Sequence, residues 1–126
     1  TAMQRDELRA YCASLPGAEE TFPFDMTTLV VKVMGKMFAL MPTDLPPSEP
    51  ATISLKCDPV HAELLREQYA AVQPGYHMNK RHWNTVTVDD SIPEPEILEM
   101  IDNSYDLVVR GLPKRDREAL AHISKS

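Results

Sequence analysis

Tyr76, His77, Asn79, Lys80, Arg81, His82 and Trp83 fall within one short stretch of the chain. Together they hold two cations, two titratable imidazoles, an amide and two aromatic rings. That combination suits a phosphate-bearing ligand. Lys80 offers a point charge to phosphate, and Arg81 offers a planar fork that pairs bidentately. Tyr76 and Trp83 can stack on a base or hold a guanidinium. The same residues also have a structural reading. Trp83, the only tryptophan, can simply fill core, Asn79 and Asn84 can satisfy turn backbone, and Lys80 and Arg81 can mark a solvated loop tip.

Other reactive side chains point to less. Cys57 and His61 have a ligand-like spacing, but two groups do not make a zinc site, and the spacing works only if both lie on one helix. His77 and His82 have no partner that spacing identifies. Cys12 falls on an apolar helical stripe and reads as inert core. Asp89-Asp90 and Glu94 with Glu96 precede or open a helix, where carboxylates are expected for the helix dipole. No Gly-rich phosphate loop and no nucleophile elbow occurs. No catalytic residue, metal or cofactor is therefore expected.

The chain is acidic, with 13 Lys and Arg against 19 Asp and Glu among 126 residues and a formal charge of −6. Two windows, Met26 to Thr43 and Gln68 to Val88, contain no carboxylate at all. They hold Lys32, Lys36, Lys80 and Arg81, so a local positive face can survive in an acidic protein. Strands disfavour Asp and Glu in any case, which explains the same windows without a partner. Hydrophobic residues make up 43%, a globular composition that excludes disorder. Two cysteines are too few for a disulfide scaffold, and no apolar run reaches membrane-span length. A cytoplasmic protein with no membrane partner, forming one domain over residues 1–126 and monomeric, is expected.

Several elements must position these groups. Leu8, Tyr11, Cys12 and Leu15 mark one face of a helix that stops at Pro16-Gly17. Thr21 to Asp25 alternates around Pro23 and reads as an edge strand. Thr28 to Met41 reads as a hairpin about Gly35-Lys36 in a type II′ turn. That turn would pair Met34 with Met37, Val33 with Phe38, Lys32 with Ala39 and Val31 with Leu40. Leu29, Val31, Val33, Phe38 and Leu40 would then face the core, and Val30, Lys32, Met34, Met37, Ala39 and Met41 would face away. Prolines make Thr43 to Ala51 a loop. Ile53 to Cys57 alternates as a strand, and Asp58-Pro59 caps a helix whose stripe is Leu65, Tyr69 and Val72. Thr85 to Val88 reads as a strand. Ser91 to Glu94 has capping-box spacing before a helix buried along Ile97, Ile101, Tyr105, Val108 and Leu112. Lys114 to Arg117 begins a further short helix.

This order predicts an α+β fold, a two-layer sandwich whose antiparallel sheet carries its helices on one face. The other face would be partly open and would present Lys32, Met34, Met37, Ser54, Lys56, Thr85 and Thr87, without a carboxylate.

The stretch Tyr76-His77-Met78-Asn79-Lys80-Arg81-His82-Trp83-Asn84-Thr85-Val86 resembles the MmcQ/YjbR family. Leu15-Pro16-Gly17 with Phe22-Pro23-Phe24 looks like the family's amino-terminal signature, together with Lys32-Val33 and Gly35 to Leu40. Ser104 to Val109 looks like its carboxy-terminal one. The resemblance spans nearly the whole chain. It implies a two-layer fold of double-wing type, and that shape is why family members carry a DNA-binding label.

Three functional readings follow. In the first, Lys32, Lys36, Lys56 and the Tyr76 to Trp83 segment (with His77, Asn79, Lys80, Arg81 and His82) contact DNA. In the second, Met34, Met37 and Met41 make an open apolar face that docks a protein. In the third, His77, Lys80, Arg81 and His82 hold a small anion or form an enzyme's site.

Overall fold

The architecture comes from a computed structural model, which describes residues 5–23, 26–44, 46, 48–75 and 79–125. Helix α1 (Arg5–Ser14) leads into β1 (Ala18–Thr21), β2 (Thr28–Val33), β3 (Lys36–Pro42) and β4 (Ala51–Lys56). Then come α2 (Pro59–Gln68), β5 (Val72–Pro74), β6 (Trp83–Val88), α3 (Glu94–Arg110) and α4 (Lys114–Lys125). The six strands form one antiparallel sheet in the order β1-β2-β3-β4-β6-β5. The expected α+β class is correct.

One face of the sheet carries the core. Leu8 and Cys12 of α1, Ile97, Ile101 and Val108 of α3, and Leu120 of α4 join Val31, Val33, Phe38, Ile53, Val86 and Val88 in a single buried cluster. These helical residues recur at three- and four-residue spacing and the strand residues at two, so each element buries one stripe.

The β2–β3 hairpin differs from the sequence expectation. Its loop is Met34-Gly35, not Gly35-Lys36, and both loop residues have positive φ, 50° and 81°. That is the handedness of a type I′ turn, whose twist matches that of the flanking strands. Val33 now pairs with Lys36 and Lys32 with Met37. A bulge then shifts the register, so that Val31 pairs with Ala39, Val30 with Leu40 and Leu29 with Met41. The consequence is a change of face: Ala39 and Met41 join the core and Leu40 does not.

Ser104 of α3 repairs the interruption at this bulge. Its hydroxyl donates to the Phe38 carbonyl at 2.6 Å and accepts from the Lys56 amide at 2.8 Å. Both backbone groups lie where the β3–β4 ladder, paired at Ala39–Leu55 and Leu40–Ser54, has come apart. Ser104 is fully buried, so no solvent can substitute freely. Ser104→Ala is expected to destabilise the fold by about 1–3 kcal/mol, read as a lowered urea midpoint. An unchanged midpoint would show that the two backbone groups find other partners.

Other boundaries differ from expectation: β4 runs Ala51–Lys56 rather than Ile53 to Cys57, and β6 opens at Trp83 rather than Thr85. The edge strand is Ala18–Thr21 rather than Thr21 to Asp25, of which Phe24 and Asp25 lie outside the described residues. Val72 is not on the α2 stripe but in the short strand β5, beyond a helix ended by the extended backbone of Tyr69. The Ser91 capping box does not form: Ser91 bonds Asp89, and Pro93 stands at the α3 N-cap with no side-chain bond. The basic stub at Lys114 extends to a 12-residue helix. Asp58, by contrast, caps α2 as expected, accepting from the amides of Val60 and His61.

Candidate functional site

Antiparallel register decides where the cations gather. The turn after β2, the end of β4 and the start of β6 all lie at one end of the sheet. Lys32, Lys36, Lys56, Lys80 and Arg81 therefore lie toward that end, although they come from separate parts of the sequence, and Lys36, paired with the core-facing Val33, is on the opposite face from Lys32 and Lys56. On the face opposite the core, Lys32 pairs with Met37 and Lys56 with Trp83. β2 and β4 flank β3, so Lys32 and Lys56 are about 10 Å apart by strand spacing. Both are half-buried, and Lys36, Lys80 and Arg81 are exposed. Half-burial of a lysine on an apolar row covers its stem and leaves the ammonium outward. None of the five makes an ion pair among the described residues.

The open face is not free of carboxylates, because the edge strand is Ala18–Thr21 and not the expected Thr21 to Asp25. Glu19 pairs with Lys32 across the β1–β2 ladder. The Met-rich surface is corrected too. Met41 is 2% exposed and belongs to the core, while Met34 packs against the core edge.

The loop carrying Lys80 and Arg81 is held from inside. Asn79 accepts from the Arg81 amide through its side chain at 3.0 Å, and its carbonyl accepts from the amides of His82 and Trp83. The His82 carbonyl accepts from the Cys57 amide at 2.7 Å. Lys80 Nζ reaches the Gly75 carbonyl at 3.4 Å. Gly75 pairs tightly with Trp83, and a Cβ at Gly75 would sit 2.8 Å from the Trp83 Cβ.

Arg66 of α2 is the residue that sequence reasoning missed. Its Nε donates to Asn84 Oδ1 at 2.7 Å, and Nη2 donates to the carbonyls of Lys80 and of Trp83, the latter at 3.3 Å. Asn84 is 2% exposed, and its amide nitrogen donates to the Ala62 carbonyl at 3.4 Å. One guanidinium thus fastens a helix, a strand and the basic loop. The available signal was positional, since Arg66 lies four residues after the buried Ala62 on α2.

The predicted residues divide accordingly. Lys32, Lys36, Lys56, Lys80 and Arg81 share one end of the sheet, Lys32 and Lys56 on the face away from the core and Lys36 on the core side, and Asn79 is the turn residue before Lys80. His82 is half-buried in that turn. Trp83 is 7% exposed and lies outside the main cluster, on the sheet's other face. Its buried ring offers no free face to a base. Tyr76 and His77 lie outside the described residues.

Nothing here resembles a metal centre: among the described residues no three His, Cys, Asp or Glu side chains gather to hold an ion. Cys12 and Cys57 are both buried and free. Burial pushes the Cys12 thiol up to about 12 and raises Cys57 as well, so neither is poised as a thiolate. No helix among the described residues is long and apolar enough to cross a membrane.

The fold and this site define a class: an α+β protein with helices on one face of an antiparallel sheet and a cluster of cations at one end of it. Residues 13–107 match the YjbR family. The chain is 39% identical over 121 residues to YjbR of Escherichia coli (strain K12), covering 96% of this chain and all of that one. It is also 39% identical over 104 residues to YbdF of Escherichia coli O157:H7, covering 82% of this chain and 83% of that one. Among solved structures it is similar to the Deinococcus radiodurans protein DR2400, with a TM-score of 0.84 and 42% identity over 94% of this chain and 88% of that one. A Pseudomonas syringae protein aligns with a TM-score of 0.71 and 26% identity over 83% of this chain and 98% of that one. This chain belongs to the YjbR family.

Proposed function

We propose that the basic end of the sheet binds the phosphate backbone of DNA. The observation that carries the reading is that Lys32, Lys36, Lys56, Lys80 and Arg81 share one end of the sheet and that none is ion-paired among the described residues. Exposed like charges repel one another, and a polyanion relieves that repulsion by neutralising several together. The remaining surface is acidic and orients this end toward DNA. Phosphate contacts of this kind position a protein without reading sequence, so little sequence preference is expected. With Trp83 buried, no described aromatic of the site is free to stack on unpaired bases. Duplex DNA should then bind at least as well as single strands.

Salt dependence tests this directly. Five phosphate contacts, one from each of these cations, give a slope of log affinity against log salt of about −4.5 for duplex DNA. Replacing Lys80 and Arg81 together by Glu should weaken binding on every sequence and flatten that slope by about 1.8, since two contacts are lost. Absence of binding at low salt would sink the proposal. Unchanged binding by the double variant would remove the loop from the interface.

A further inference from the structure

The end of the sheet that holds the cations is also the end toward which α3 runs. Ser104 of α3 meets the Phe38 carbonyl near the start of β3 and the Lys56 amide at the end of β4. Tyr105 packs edge-on against Phe38 with 5.4 Å between ring centroids, and its hydroxyl donates to the Pro16 carbonyl. Arg110 lies six residues beyond Ser104, about 9 Å further along the helix. The chain then turns through Gly111, Leu112 and Pro113 into α4.

Contacts of α4 place that corner beside the β2–β3 hairpin. Of its described side chains only Leu120 is buried. Leu120 sits over Gly17, where a Cβ would fall 2.5 Å from Leu120 Cδ1 and 3.7 Å from Val33 Cγ2. Val33 is the strand partner of Lys36. The α3–α4 corner therefore stands on the core side of the basic end, the side to which Lys36 also turns.

The corner carries its own excess of positive charge. Arg110, Lys114, Arg115 and Arg117 stand against Asp116 and Glu118 between residues 110 and 118. Lys114 lies 3.9 Å from Glu118, and Arg115 lies 3.5 Å from Asp116. Arg110 and Arg117 are exposed and make no ion pair among the described residues. Arg110 also complements the carbonyl end of the α3 dipole. Arg117, in the first half of α4, has no such role in its helix.

We propose that the DNA surface continues across the end of the sandwich onto this corner, with Arg110 and Arg117 each contacting a backbone phosphate. The inference rests on the reading of the basic end as a DNA surface and adds the helical layer to it. A duplex lying across the end of the molecule meets the hairpin, the Lys80 loop and the corner together. Each guanidinium can then pair bidentately with phosphate.

The experiment is an anisotropy titration of a fluorescein-labelled duplex with the full chain across a salt series. Seven contacts give a slope of log affinity against log salt of about −6.3, where five give about −4.5. Arg110→Gln with Arg117→Gln should flatten the slope by about 1.8 and weaken binding about 60-fold at ~0.1 M salt, about eightfold per contact. Arg117→Gln alone, expected to lose about eightfold, carries the test if the double variant misfolds. Arg5→Gln removes one charge at the far end of the sheet, beside Thr43, and should leave affinity nearly unchanged at that distance. A wild-type slope near −4.5, or a loss in the Arg110 and Arg117 variants no greater than in Arg5→Gln, would overturn this inference and leave the basic end standing. No binding by the wild type at low salt would overturn both.

Discussion

Trp83→Ala is expected to destabilise the protein by about 3–5 kcal/mol, the range for removing a large buried ring and leaving its cavity. The ring is 7% exposed and its backbone is bonded on two sides, to Asn79 and to Gly75. Collapse around the lost ring is therefore restricted, which places the effect at the upper part of that range. Urea midpoints measured beside Lys80→Ala and Arg81→Ala supply the contrast. Those two should each change stability by less than about 0.5 kcal/mol, because exposed cations lose neither transfer energy nor packing. If either matches Trp83→Ala, the cations hold the fold and say nothing of a partner. If Trp83→Ala is neutral for stability and abolishes DNA binding instead, the ring acts at the interface.

Arg66→Ala should have the next largest effect, about 3 kcal/mol. The substitution removes a half-buried guanidinium and strands the Asn84 amide oxygen in a 2% exposed position, while the Trp83 carbonyl keeps its bond from the Gly75 amide and the exposed Lys80 carbonyl turns to water. Each buried group left unsatisfied contributes about 1–3 kcal/mol. Arg66→Lys should rescue little of this, because an ammonium cannot span three acceptors in the plane of a guanidinium fork. Arg66 is thus a positioning residue for the basic loop. Hydrogen exchange at the amides of residues 79–83 should accelerate in Arg66→Ala by more than global destabilisation accounts for. Unaltered protection there would show that Asn79 and its turn bonds hold the loop unaided.

Much of the architecture was legible along the chain. The alternation of Ile53 and Leu55, the Asp58-Pro59 helix start and the buried Ile97, Ile101 and Val108 of α3 appear as read, since each depends on neighbours only a few residues away. The hairpin shows where local reading fails. Gly35 was recognised as a turn residue, but whether it occupies the first or second loop position depends on which register buries the better set of side chains across the sheet. A bulge at Phe38 shifts the register further, and the Phe38 carbonyl there accepts from Ser104, sixty-six residues away, a contact no local pattern announces.

The sequence by itself determined the element types, the fold class and the inventory of cations, because periodicity, proline and glycine act over a turn of helix or a pair of strand residues. It also determined family membership, through motifs spread over nearly the whole chain. Only the tertiary structure decided which of these residues stand together. Antiparallel pairing folds distant segments back on one another, and so brings Lys32, Lys56 and Lys80 to one end of the sheet. It also turns Trp83 from a stacking candidate into a buried ring, and makes Arg66, unremarked within an ordinary helix, the clasp of the basic loop. Burial and hydrogen-bond partnership are set by long-range contacts, and no spacing within a single element carries that information.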